Sequence, residues 1–104
     1  MSTANEIIRV LCEIDDFATM KRFLSEILTP VEIRDVALRW RLMNMLHDRV
    51  PQRKIASELG ISLCKITRGS RVLKTRGSVS KRILDQRTGE RHAFNRPASK
   101  PARP

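Results

Sequence analysis

Four basic side chains lie among regularly spaced apolar residues in the middle of the chain, and this arrangement could bind a polyanion. The cations are Arg53, Lys54, Lys65 and Arg68, and the apolar residues are Ile55, Ala56, Leu59, Ile61 and Ile66. Counted from Gln52, the apolar residues are fourth, fifth, eighth, tenth and fifteenth, and Gly60 is ninth, where a tight turn needs a positive φ. The pattern predicts two short helices joined as a DNA-reading helix–turn–helix, with a plain helical hairpin as the alternative.

Gly69 departs from this pattern, because the eighteenth position usually holds a bulky hydrophobic residue. A glycine inside a helix costs roughly 1 kcal/mol relative to alanine, so its presence needs a reason. One interpretation is a kink or a close approach of another backbone. The other is a slot for a flat ligand, with Arg68 stacking on a face of that ligand. The spacing leaves both open.

Other kinds of chemistry have little support in the sequence. Cys12 and Cys64 are far apart, and His47 and His92 have no partners at metal-ligand spacing, so we predict surface histidines and no metal site. No nucleophile–base pair and no phosphate loop is present, and catalysis is therefore not predicted. No apolar run approaches the roughly 20 residues that a membrane span needs. We expect a cytoplasmic, nucleoid-associated binding protein.

The elements that would position these residues are predicted to be helices alone. Apolar residues recur at spacings of three and four, and capping residues or prolines precede each run. Thr29-Pro30-Val31-Glu32 is a strong helix start, since Thr29 can cap and Glu32 can bond back to the cap amide. The expected fold is all-α with about six helices, which cover roughly 7–14, 17–28, 30–48, 51–60, 62–74 and 78–86.

Charge divides the chain into an acidic N-terminal part and a basic C-terminal part. The formal charge is +10, of which residues 1–37 contribute −3, residues 38–70 contribute +5 and residues 71–104 contribute +8. From Thr88 onward the chain has three prolines and only Phe94 as a large hydrophobic residue. We therefore predict a helical domain over 1–87 and a disordered basic tail over 88–104. A domain this small buries a limited fraction of its surface on folding, so dimerisation would add to its stability.

Several short motifs resemble the tryptophan repressor (Trp operon repressor) family over roughly residues 17–86. They are Ile66-Thr67-Arg68-Gly69-Ser70 with Leu73-Lys74, Leu28-Thr29-Pro30, Arg39-Trp40-Arg41, Gln52-Arg53 and Glu58-Leu59-Gly60. The resemblance implies an intertwined, all-helical homodimer with its helix–turn–helix at 52–74. Such a dimer would bind a double-stranded DNA operator and repress transcription of tryptophan biosynthesis or transport genes when L-tryptophan binds as corepressor.

The resemblance also assigns residue roles. Arg39 and Arg68 would sandwich the indole, Arg68 would also bind the carboxylate, and Gly69 would let the ring approach. Thr29 would lie beside the ligand, and carbonyls near Leu28 of the partner subunit would accept from its ammonium group. Gln52 and Arg53 would meet phosphate or a base edge. The remaining DNA-binding residues would be Leu63, Cys64, Lys65 and Thr67, facing the major groove, and Lys74, toward the backbone.

The sequence departs from the family pattern at three positions. Arg71 and Val72 stand where asparagine and then a small or hydroxylated residue are common, and Val72 cannot donate a hydrogen bond near the ligand. Lys65 replaces a common threonine, so we expect a different operator. Two alternatives remain open: a ligand-independent helix–turn–helix regulator of the same superfamily, and a non-specific architectural or RNA-associated protein that binds through its basic tail.

Overall fold

The fold is all-helical in the part of the chain that the computed structural model describes, which is the backbone of residues 2–94 and the side chains of residues 2–88. Six helices and no strand occur in this part, as predicted. The helices are α1 (Thr3–Glu13), α2 (Phe17–Ile27), α3 (Pro30–His47), α4 (Gln52–Leu59), α5 (Leu63–Lys74) and α6 (Val79–Phe94). Within the described residues, no helix has the length and apolar character that crossing a membrane requires.

Side-chain caps start α2 and α3 where the sequence predicted them, whereas α1 begins at Thr3, about four residues before its predicted start. Asp16 accepts a hydrogen bond from the Thr19 N–H at 2.8 Å, and this bond lowers the pKa of Asp16. At the start of α3, Thr29 Oγ1 accepts from the Glu32 N–H at 3.1 Å, and Glu32 Oε1 accepts from the Thr29 N–H at 2.9 Å. This reciprocal pair satisfies two amides that the helix itself leaves unbonded, so the predicted capping box is confirmed.

The end of α3 is a tight turn that no glycine marks in the sequence. Arg49 has a φ of 64°, in the left-handed region that costs a non-glycine residue about 1–2 kcal/mol. The Arg49 N–H bonds to the Leu46 carbonyl and the Val50 N–H to the Met45 carbonyl, each at 3.0 Å, which forms a Schellman motif. Val50 then packs against the core, and this contact favours the turn that leads into α4.

The described residues divide into two compact units, one that ends at Ala37 and one that begins at Leu38. The first unit contains α1, α2 and the start of α3, and none of its described side chains is buried. Its exposed large hydrophobic residues are Ile8, Phe17, Ile27, Val31, Ile33 and Val36. The first unit therefore presents apolar side chains that the single chain leaves in contact with solvent.

The second unit has a small core that fixes the α4–α5 pair on the last turns of α3. Leu42, Ile55 and Ile66 come from α3, α4 and α5 respectively, and the last two have no exposed surface at all. The partly buried residues around them are Met45, Leu46, Val50, Ala56, Leu59 and Ile61. Leu84 anchors α6 with an exposure of 1%.

Helix α6 is longer than predicted. It continues past Gln86 to Phe94, so residues 88–94, which we assigned to the disordered tail, are helical. Once a helix is formed, each added residue gains a hydrogen bond without repeating the cost of nucleation, and no proline interrupts the chain before Pro97. The rest of the predicted tail, 95–104, lies outside the described residues.

Candidate nucleic-acid interface and ligand site

The α4–α5 pair has the geometry that the spacing predicted. Gly60 ends α4 with φ 64° and ψ 36°, a left-handed conformation, and its N–H bonds to the Ala56 carbonyl. Ser62 then starts α5, because its Oγ accepts from the Lys65 N–H at 3.3 Å. Ile55 and Ile66 are fully buried between the two helices and α3. The turn and core therefore hold α5 in one orientation.

All seven residues predicted to contact DNA lie on the surface of the second unit. They are Gln52, Arg53, Leu63, Cys64, Lys65, Thr67 and Lys74. Leu63 is 59% exposed although it is a large hydrophobic residue, and the Cys64 beside it is an exposed free thiol. An exposed leucine on a short helix gives the free protein no burial energy, which suits a surface that contacts another molecule.

Helix α5 concentrates positive charge without any carboxylate of its own. Its cations are Lys65, Arg68, Arg71 and Lys74. Lys65 lies in the first turn, where the helix dipole disfavours a positive charge. Its placement therefore does not serve helix stability, and a polyanion at this end of α5 would make the charge favourable.

The residues assigned to the ligand are divided between the two units. Leu28 and Thr29 belong to the first unit, where Thr29 uses its hydroxyl in the capping box and Leu28 is half-buried. Arg39 and Arg68 belong to the second unit, and both are exposed. Two exposed guanidinium groups are available to stack on a flat ring or to bond a carboxylate.

Gly69 is explained by close packing of α5 on α3. A Cβ built on Gly69 would lie 3.0 Å from Leu46 Cδ1, 3.3 Å from Leu42 Cδ2 and 3.3 Å from Met43 Sδ. These distances are shorter than ordinary van der Waals contact, so a Cβ at this position would require the ends of these three side chains to shift by a few tenths of an ångström. The atoms nearest to Gly69 are therefore side-chain ends of α3, and no other backbone is among them.

The structure also contains a hydrogen-bonded link that the sequence analysis missed. His47 Nε2 lies 2.6 Å from Asp85 Oδ1, and the His47 side chain is 16% exposed, so the histidine is at the surface but partly covered by this contact. In the neutral ring Nε2 donates to the carboxylate, and Nδ1 accepts from the Thr88 hydroxyl at 3.3 Å. Lys81 bonds the other Asp85 oxygen at 3.0 Å. The link ties α6 to the end of α3.

No group of histidine, cysteine, aspartate and glutamate side chains that could hold a metal occurs in the described part of the chain. The side chain of His92 lies outside that part.

The hydrogen-bonded link between His47 and Asp85 predicts that the stability of the fold depends on pH. Hydrogen bonds from His47 and then from Lys81 hold the pKa of Asp85 below its ordinary value of 3.8. A carboxylate with a lowered folded-state pKa stabilises the fold above the ordinary value and loses this contribution as the pH falls through the lowered one. We expect Asp85→Asn to flatten the loss of stability as the pH falls below the ordinary carboxyl pKa of 3.8, measured by urea unfolding.

Asp15→Asn, a change at an exposed carboxylate of the first unit, is the matched control for that experiment. If the two variants showed the same pH dependence, the link would not contribute to stability.

Taken together, the fold and the site define an all-helical protein with a short helix pair that presents a cationic, carboxylate-free helix to solvent. A family profile described as Trp repressor protein matches residues 2–88. The chain belongs to this family, whose members are regulatory DNA-binding proteins and not enzymes.

Several curated relatives are named as Trp operon repressor homologs. The Trp operon repressor homolog of Xylella fastidiosa strain 9a5c is 43% identical over 65 residues, which cover 62% of this chain and 71% of that protein. The Trp operon repressor homolog of Actinobacillus succinogenes is 46% identical over 55 residues, which cover 52% of this chain and 54% of that protein. The Trp operon repressor homolog of Pasteurella multocida is 43% identical over 56 residues, which cover 53% of this chain and 55% of that protein. These relatives support a repressor role. No solved structure matches the chain.

Proposed function

We propose that the protein is a homodimeric, sequence-specific DNA-binding repressor, and that L-tryptophan acts as its corepressor. The main support for this proposal is the exposed surface of α5, which contains no carboxylate. The buried side chain of Ile66 and the turn at Gly60 hold this surface in a fixed orientation beside α4. In the cytoplasm, on the nucleoid, the dimer would control genes of tryptophan biosynthesis or transport.

The DNA contacts are assigned to the two helices of the pair. Gln52 and Arg53 at the start of α4 bind phosphate or a base edge. Leu63, Cys64, Lys65 and Thr67 on α5 face the major groove, and Lys74 at the other end of α5 binds the backbone. The proposal is supported by the exposure of all these side chains and by the absence of carboxylates from α5.

The exposed apolar residues of the first unit support dimerisation. Phe17, Ile27 and Val36 are each more than half exposed in the single chain, and a second copy of the chain would bury such side chains. A two-fold symmetric dimer places two copies of α5 in successive major grooves about 34 Å apart. We therefore expect a palindromic operator.

L-tryptophan is assigned to Arg39, Arg68 and Gly69, with Thr29 beside the ligand and carbonyls near Leu28 of the partner subunit at its ammonium group. The two guanidinium groups stack on the indole, and Arg68 also binds the carboxylate. If the bound ligand favours the orientation of the dimer's two α4–α5 pairs that fits DNA, the ligand and the operator strengthen each other's binding by the same factor.

A second candidate is a ligand-independent regulator of the same fold. Val72 favours it, because a valine offers no hydroxyl to the polar end of an amino acid ligand.

Selection of duplexes from a random library, with and without L-tryptophan and at stated salt, tests the proposal. We expect a palindrome whose half-sites lie about one helical turn apart, enriched only with ligand. Enrichment that is equal without ligand would support the second candidate. A chain truncated after Phe94 is the control, since a protein that binds non-specifically through its tail would show no enriched sequence and would lose most binding on truncation.

A further inference from the structure

An open cleft of about 550 Å³ lies at the turn between α5 and α6, outside the surface that contains the base-reading residues. Lys74 from the end of α5, Arg76 from the turn, and Lys81 and Arg82 from the first turns of α6 line it. The single acidic residue among the lining side chains is Asp85. The cleft is therefore lined by four basic side chains and one acidic side chain.

The charge of the cleft is only partly balanced within the protein. Asp85 bonds Lys81 at 3.0 Å and His47 at 2.6 Å, so its carboxylate is already engaged. Among the described residues, neither Arg76 nor Arg82 forms an ion pair. Unpaired like charges that share one concave surface repel each other, and a bound anion would relieve this repulsion.

The backbone leaves the cleft accessible. Gly77 turns the chain with a φ of 77°, and no atom lies within 4 Å of the position that a Cβ would take there. The turn is fixed by hydrogen bonds on both sides, from the Ser78 N–H to the Thr75 carbonyl and from the Lys81 N–H to Ser78 Oγ, each at 3.1 Å. The space beside Gly77 is therefore open to an anion without any rearrangement of the turn.

We propose that this cleft is a phosphate-binding site, occupied by a backbone phosphate of bound DNA. Helix α5 has 12 residues, so the cleft lies about 17 Å from the base-reading end. The major groove is about 12 Å wide, which places the cleft beyond the groove and near a flanking strand when the other end of α5 meets base edges. The claim that the phosphate belongs to DNA rests on the proposed function. The claim that the cleft binds phosphate rests only on the residues that line it. Of its residues, Arg76, Lys81 and Arg82 are additional to the predicted DNA contacts.

The test compares Arg82→Gln with Arg87→Gln in the full chain. Both arginines are exposed on α6 and both changes remove one charge, but Arg87 does not line the cleft. We measure affinity for a selected duplex and for a mixed-sequence duplex over a range of salt. If Arg82 binds a phosphate, Arg82→Gln makes the negative slope of log K against log salt shallower by about 0.9 on both duplexes and retains the sequence preference, whereas Arg87→Gln changes the slope less. Arg76→Gln is the second variant and is expected to behave like Arg82→Gln.

Titration with inorganic phosphate, followed by amide resonances of the 75–82 segment, distinguishes the source. Equal slopes for the two variants, with resonances that shift in the wild type but not in Arg82→Gln, would support the site while giving it a free anion as its ligand. Equal slopes with no localised shift would overturn the proposal. If the wild type bound both duplexes equally well while Arg82→Gln and Arg87→Gln still differed in slope, the proposed function would be overturned and the cleft would remain a phosphate site.

Discussion

Replacing Ile66 with alanine is expected to lower the free energy of unfolding by about 2–5 kcal/mol. Ile66 has no exposed surface and joins α5 to Leu42 of α3 and Ile55 of α4. The truncation removes its contacts and leaves a cavity in a core that has only a few fully buried side chains. Since small domains are stable by only about 5–15 kcal/mol, we expect much of the folded population to be lost on mild heating.

Leu63→Ala on the same helix is the matched control, because Leu63 is 59% exposed and its truncation leaves no cavity. Urea unfolding followed by circular dichroism measures both variants. A change of less than about 1 kcal/mol for Leu63→Ala is expected, as for most exposed positions. Equal stabilities of the two variants would mean that Ile66 does not hold the helix pair together.

Replacing Arg39 with alanine is expected to weaken the binding of L-tryptophan by about tenfold, which corresponds to about 1.4 kcal/mol. The proposed role of Arg39 is to stack its guanidinium on one face of the indole, and alanine cannot do so. Isothermal titration calorimetry measures the affinity. Because Arg39 is not among the proposed DNA contacts, DNA affinity without ligand should stay close to that of the wild type.

Arg41→Ala is the matched control for Arg39→Ala. Both residues are exposed on α3 and the two changes remove the same charge. Two residues along a helix correspond to a rotation of about 200°, so Arg41 faces away from the position of Arg39. An equal loss of tryptophan affinity in both variants would indicate a general effect of charge and would contradict the assignment of Arg39.

The helices could be predicted from the sequence because their signals are local. Asp16, Thr29, Ser62 and Ser78 each bond an amide three residues ahead, and such pairs are visible in the sequence. Gly60 could be placed for the same reason, since the turn needs a positive φ at one position. Arg49 shows where this reasoning ends, because its left-handed conformation depends on packing of Val50 against the core and not on its own preference.

The interpretation of Gly69 and the contacts of His47 needed the tertiary structure. The spacing showed that Gly69 breaks a pattern but could not show that Leu42, Met43 and Leu46 fill the space beside it. His47 and Asp85 are 38 positions apart in sequence, so no periodicity relates them. In both cases the partner residues lie on another helix, and only the packing of α3 against α5 and α6 brings them together.

The affinity of the full chain for its selected operator, measured with and without L-tryptophan at one fixed salt concentration, tests the central claim most directly. Coupling between two sites is typically about 1–3 kcal/mol, so we expect L-tryptophan to tighten operator binding by roughly 5–150-fold. Its effect on a mixed-sequence duplex should be much smaller, because non-specific binding depends mainly on phosphate charge. An operator affinity that is the same with and without L-tryptophan would contradict the account.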